Sequence, residues 1–156
     1  MDQITKRLAV LYLKEKAAIS ILPGIFELFY LENHGAAFGI LQGQKTFFVI
    51  LTVAALLILF LLYIRIPKEK HYFWLHLLLV LFISGAIGNF IDRCVQDYVI
   101  DFFYFSLIDF PVFNVADIYV TMAAVLMIVL FCFYYKEEDI DMLLGQLVFW
   151  KKKEKN

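Results

Sequence analysis

Asp101 and Asp117 are the residues of this chain best placed to do chemistry. Asp101 stands in Tyr98-Val99-Ile100-Asp101-Phe102-Phe103, and Asp117 closes Phe113-Asn114-Val115-Ala116-Asp117, where a long apolar run begins. A carboxylate at the edge of an apolar span is costly unless it is paired or functional. Two that meet would share a proton, because like charges a few ångströms apart resist joint ionisation. The ionised member can take a proton from water while the protonated member polarises a carbonyl, giving hydrolysis with no metal and no covalent enzyme intermediate. Such a pair titrates as a unit. Asp117 also has a purely architectural reading. Asn114 is a good N-cap, and an acid three residues later suits the first turn of a helix, close to a capping box. Asp101 has no helix start to serve.

A second polar group lies nearby in sequence. Ser84-Gly85-Ala86-Ile87-Gly88-Asn89-Phe90-Ile91-Asp92-Arg93 places Gly85, Asn89, Asp92 and Arg93 on one helix face. Ser84 and Gly88 have the small-xxx-small spacing that lets helices approach closely. A packing notch followed by an interfacial Asp-Arg stop accounts for the pattern equally well, except that Asn89 lies a turn deeper, where an amide must find a partner. Other candidates are weaker. His34, His71 and His76 fall in three separate segments, no His/Cys/Asp cluster has metal-ligand spacing, and no cofactor motif is present. Cys94 and Cys132 are expected a membrane thickness apart, beyond the roughly 7 Å that a disulfide allows.

The elements that must position these residues are membrane helices. Of the 156 residues, 63% are hydrophobic and 18% aromatic, with a mean hydropathy of +0.78, well above soluble domains. Residues 47–64, 72–91 and 116–135 each approach the length that crosses a hydrocarbon core. The predicted helices run from about 46–66, 72–93 and 115–135. Net charge is −1, which gives no case for nucleic acid as a partner.

Charge placement orients the spans. Arg65, Lys68 and Lys70 lie between the first two, and Lys136, Lys151, Lys152, Lys153 and Lys155 follow the third, marking those ends as cytoplasmic. Asp92, Asp97, Asp101 and Asp109 lie between the second and third spans, so both candidate acids are expected at the outer face. The first 45 residues would share that side despite Lys6, Arg7, Lys14 and Lys16. Within this stretch, residues 25–31 after Pro23-Gly24 read as a strand, Asn33-His34-Gly35 as a turn and residues 42–45 as a loop. The tail, residues 136–156, has Ile140, Leu143, Leu144, Leu147 and Val148 at roughly helical spacing, which fits either a surface-lying cytoplasmic amphipathic helix or a partly disordered tail.

Five motifs in order give the chain a resemblance to the bacterial lipoprotein signal peptidases, or signal peptidase II. They are Asp2-Gln3-Ile4-Thr5-Lys6, Asn33-His34-Gly35-Ala36-Ala37-Phe38-Gly39, residues 85–93, Val99-Ile100-Asp101-Phe102, and Phe113-Asn114-Val115-Ala116-Asp117. The resemblance implies a polytopic helical bundle of the bacterial inner membrane with a small extracytoplasmic β element, residues 1–135 forming the peptidase domain. It implies an aspartic endopeptidase that cleaves prolipoproteins on the N-terminal side of a diacylglyceryl-cysteine. By matching position, Asp101 and Asp117 become the catalytic dyad. Asn33, Asn89, Arg93 and Asn114 become substrate-positioning residues, Asp92 a structural one, and Asp2 with Lys6 a structural element. No cofactor or metal is implied, and the expected partners are the prolipoprotein and membrane lipids, with the enzyme a monomer. Family members carry a further helix before the Asp-Gln-x-Thr-Lys element, and residues 4–13 are too short to replace it. The rival reading is a small transporter or channel subunit whose polar groups line a path.

Overall fold

The computed structural model describes residues 1–35 and 41–147, apart from the side chains of Leu144, Gln146 and Leu147. The motif residues Ala36, Ala37, Phe38 and Gly39, the apolar Val148 and the lysines at 151–153 and 155 lie outside the described residues. Three helices are long and apolar enough to cross a membrane: residues Lys45–Arg65, Lys70–Gln96 and Val115–Tyr134. A short helix, α1 (Asp2–Leu13), and a three-stranded sheet sit at one end of this bundle.

Each long helix reflects its sequence. Helix α2 (Lys45–Arg65) is apolar all round and buries none of its residues in protein, as a lipid-exposed helix does. Helix α3 (Phe73–Gln96), entered through a single 3-10 turn, buries Leu75, Leu78, Leu79, Gly85, Gly88 and Asp92, a stripe at three- and four-residue steps. That stripe packs on α4 (Val115–Val129), whose Ala116 and Ala123 are fully buried. The last turn of this third span, Leu130–Tyr134, widens into a π-helix.

The notch between α3 and α4 is built by Gly85 and Gly88. A Cβ on Gly85 would stand 2.6 Å from the Ala116 carbonyl oxygen, and one on Gly88 would stand 2.6 Å from Asp2 Oδ2 and 2.9 Å from Ala116 Cβ. The expected Ser84–Gly88 pair therefore shifts by one residue, because Gly85 and not Ser84 faces the neighbouring backbone.

The sheet is antiparallel with order β1-β2-β3, comprising β1 (Ile19–Leu22), β2 (Phe26–Asn33) and β3 (Val99–Tyr104). Pro23-Gly24 turns the first hairpin, with Gly24 at φ +70°. The strand expected over 25–31 is β2, running on to Asn33, while β1 and β3 were not foreseen. The sheet and α1 enclose Val99–Tyr104: Ala9 and Leu13 of α1 pack against Ile100 and Phe102. Leu31 of β2 lies opposite Asp101 and Asn33 opposite Val99. Near the end of the strand, Phe103 and Phe113 exchange backbone hydrogen bonds, which anchors the chain two residues before α4 begins.

At the other end of the bundle, α5 (Glu137–Leu147) folds back. Its Leu143 is buried among Ile66, Tyr72, Leu75 and Tyr135, with Ile140 packed alongside, and His71 Nε2 lies 2.9 Å from Asp139 Oδ1. Of the two forms expected in the tail, the helix is present. Part of its apolar face is taken up by the bundle and does not lie free.

Candidate active site

The site is assembled at the junction of α1, α3, β3 and α4. Asp101 reaches it from the middle of β3 and is 2% exposed. Asp117 reaches it from the first turn of α4. There the capping box is complete: Asn114 Oδ1 accepts from the Asp117 N–H at 3.1 Å, and Asp117 Oδ2 accepts from the Asn114 N–H at 3.1 Å. Capping uses one carboxylate oxygen and leaves Oδ1 turned toward α3.

Both acids line one cavity of about 480 Å3. Asn33 and Arg93 border it on the polar side, and Phe110, Val112, Ile118 and Met122 on the apolar side. The two carboxylates are joined through amides. Asn33 Nδ2 donates to Asp101 Oδ2 at 2.9 Å, Asn114 Nδ2 to Asp101 Oδ1 at 2.6 Å, and Asn89 Nδ2 to Asp117 Oδ1 at 2.8 Å. Burial raises the Asp101 carboxyl, and the neighbouring Asp117 charge raises it further, to about 7. The bonds from Asn33 and Asn114 and the charge of Lys6 hold it back from going higher.

Behind this layer stands a buried ion cluster. Lys6, 1% exposed, lies 3.0 Å from Asp2 Oδ2 and 2.8 Å from Asp92 Oδ2, and donates to Asn89 Oδ1 at 2.9 Å. Asp2 Oδ1 accepts from the Ala116 N–H at 2.9 Å, so the first turn of α1 also satisfies the first turn of α4. Asp92 Oδ2 accepts from the Ile100 N–H at 3.2 Å and Gln3 donates to Asp92 Oδ1 at 2.8 Å, which ties β3 to α3 and α1. Removing one member of such a cluster leaves a buried charge uncompensated, at a cost of about 3–5 kcal/mol. The cluster also explains the lysines that looked misplaced by charge bias: Lys6 is neutralised internally, and Lys14 pairs with Glu32 at 2.9 Å.

The structure thus gathers Asn33, Asn89, Arg93, Asn114, Asp101 and Asp117 in one place. Their positions within it differ. Asn114 is fully buried and does not line the cavity, because its amide is committed to Asp101, Asn89 and the helix cap. Arg93 donates from Nη2 to the Gly35 carbonyl at 3.1 Å and lies over the Phe48 ring at 4.8 Å, holding the end of β2 against α2. Lys6, expected from the resemblance as part of a structural element with Asp2, is in the ion cluster and also touches Asn89. Its signal was the i, i+4 pairing with Asp2, which gives a buried lysine a reason to exist. Among the described residues, no group of three His, Cys, Asp or Glu side chains converges as a metal site.

The family model described as Signal peptidase (SPase) II matches residues 1–133. The chain belongs to the signal peptidase II family. Relatives named lipoprotein signal peptidase from Streptococcus thermophilus (strain CNRZ 1066) and Streptococcus pyogenes serotype M5 (strain Manfredo) are 46% and 43% identical over 139 residues, covering 89% of this chain and 88% of each relative. Two solved structures of bacterial membrane enzymes, at 2.3 and 1.9 Å resolution, superpose with a TM-score of 0.73 each. The first is 31% identical and covers 99% of this chain and 87% of its own; the second is 33% identical and covers 86% of both. As a signal peptidase II, the protein is a membrane peptidase, and membership in a peptidase family decides against a transporter or channel. The polar groups agree, being gathered at one end of the bundle and not strung along it.

Proposed function

We propose that this signal peptidase II is an aspartic endopeptidase in which Asp101 and Asp117 form the catalytic dyad. The observation that carries the reading is that both carboxylates line one cavity and each receives an amide donor. A pair held this way keeps a single proton near neutral pH. The ionised carboxylate takes a proton from a water molecule as its oxygen attacks the scissile carbonyl carbon. The protonated carboxyl donates to the carbonyl oxygen, giving a neutral tetrahedral diol. Collapse of the diol breaks the C–N bond, with proton transfer to the departing nitrogen. Asn33 and Asn89 orient the carboxylates from the rim of the cavity, Asn114 does so from behind, and Arg93 shapes the wall that positions substrate.

The substrate is a prolipoprotein, the class after which the relatives are named, cut before its diacylglyceryl-cysteine. The apolar wall of Phe110, Val112, Ile118 and Met122 suits acyl chains arriving from the bilayer. Arg65, Lys68, Lys70 and Lys136 lie at the end of the bundle away from the sheet, so the positive-inside rule puts that end and the tail in the cytoplasm. The site then opens at the extracytoplasmic face of the bacterial inner membrane, and a monomer suffices. The test is cleavage of a diacylglyceryl prolipoprotein by purified protein. Asp101→Asn and Asp117→Asn should each cost at least about a thousandfold in kcat with folding retained. Near-normal turnover in either variant would refute the dyad.

A further inference from the structure

We infer that Lys6 is a positioning residue of this site: through the side chain of Asn89 it sets the direction of the hydrogen bonds that reach Asp101 and Asp117. The inference rests on the assignment of those two residues as the dyad.

An ammonium group has three donors and no acceptor. The three of Lys6 go to Asp2, Asp92 and Asn89 Oδ1. Facing a group that only donates, Asn89 must present its oxygen. Its Nδ2 is therefore turned the other way, onto Asp117 Oδ1. The same Asn89 oxygen also accepts from Asn114 Nδ2 at 3.1 Å. Asn114 must then present its nitrogen on this side, where it reaches Asp101, and its oxygen on the other, where it accepts from the Asp117 N–H. Lys6 at one end and the Asp117 N–H at the other thus order two amides in series, and each carboxylate is met by an N–H and not by an amide oxygen.

Shape alone does not choose this order, because the two ends of a carboxamide are nearly isosteric. Without Lys6, the Asn89 oxygen keeps only the longer, neutral bond from Asn114, and turning that oxygen onto Asp117 becomes less costly, an arrangement compatible only with a protonated carboxyl. The ionised member of the pair would then persist only at higher pH. Lys6 also pins α1 to α3 through Asp92, but that function does not require the bond to Asn89.

The full chain in detergent, with a diacylglyceryl prolipoprotein as substrate, separates the two roles. Lys6→Met combined with Asp2→Asn leaves the net charge of the buried cluster unchanged. This double variant should lose about tenfold in kcat with KM preserved, and the acidic limb of its pH–rate profile should move up by about one pH unit. Asp2→Asn alone removes a negative charge and keeps the donor, so it should not move that limb upward, and Lys6→Arg, another obligate donor of the same charge, should leave it in place. Asn89→Leu should reproduce the shift, and adding the Lys6 and Asp2 changes to it should cost little more, since residues acting through one another are non-additive. A wild-type limb in the Lys6→Met, Asp2→Asn enzyme, with activity falling only as folded protein falls, would overturn the inference. So would multiplicative losses with Asn89→Leu. If the double variant does not fold, Asn89→Leu decides alone, and an unshifted limb there rejects the relay. Active Asp101→Asn or Asp117→Asn enzyme would instead bring down the dyad itself, which keeps the two failures distinguishable.

Discussion

Asn114 shows how one amide serves architecture and chemistry together. It caps α4, and the same side chain donates to Asp101 and Asn89. The choice between a helix cap and a reactive acid at Asp117 is therefore a false one, because the cap holds the carboxylate still while its second oxygen faces the site. Asp101 carries the sharpest consequence. Buried beside Asp117, it keeps its proton up to about pH 7, whereas an unfolded chain releases it near 4. The folded protein binds more protons than the unfolded chain between those values, so stability falls as pH rises through that window and levels off above it. Thermal midpoints in detergent should decline between about pH 4 and pH 7, and Asp101→Asn should flatten the decline. Cleavage should likewise fade above about pH 7 as the pair loses its shared proton, read as the basic limb of kcat/KM.

Among the elements, α3 and β3 matter most, and they were unequally legible. Hydropathy and length gave away α3, and the motif around Asn89 correctly marked its polar end. Which small residue faces α4 could not be read, because a one-residue difference in helical phase depends on the neighbour's backbone. Gly85→Ala should lower stability by about 1–3 kcal/mol, seen as a drop in thermal midpoint, since its Cβ would meet the Ala116 carbonyl oxygen as well as the Val120 side chain. Strand β3 was hidden for a different reason. Val99, Ile100, Asp101 and Phe102 are all buried, so the alternation that betrays a half-exposed strand is missing, and an acid in the middle disguises it further. The burial of Lys6 escaped because a charge count treats every lysine as solvent-facing, and only the fold brings Asp92 to it.

Taken whole, the molecule has two poles. The sheet end holds the cavity lined by Asp101 and Asp117, and the opposite end holds an apolar cluster closed by α5 around Leu143. These should be separable. Leu143→Ala should cost about 2–4 kcal/mol of stability, measured by thermal unfolding, with kcat/KM on a diacylglyceryl prolipoprotein unchanged. The three spans were readable from length and apolarity, because lipid imposes both requirements along the sequence. The site was readable only as scattered motifs, because no local rule says that residue 6 and residue 117 will be two hydrogen bonds apart. That separation also bears on timing. Asp2 is made 114 residues before the Ala116 N–H that completes its bonding. While the chain grows, the carboxylate on α1 has no α4 to satisfy. The junction that holds residues 101 and 117 in one cavity therefore closes only after the third span has been made.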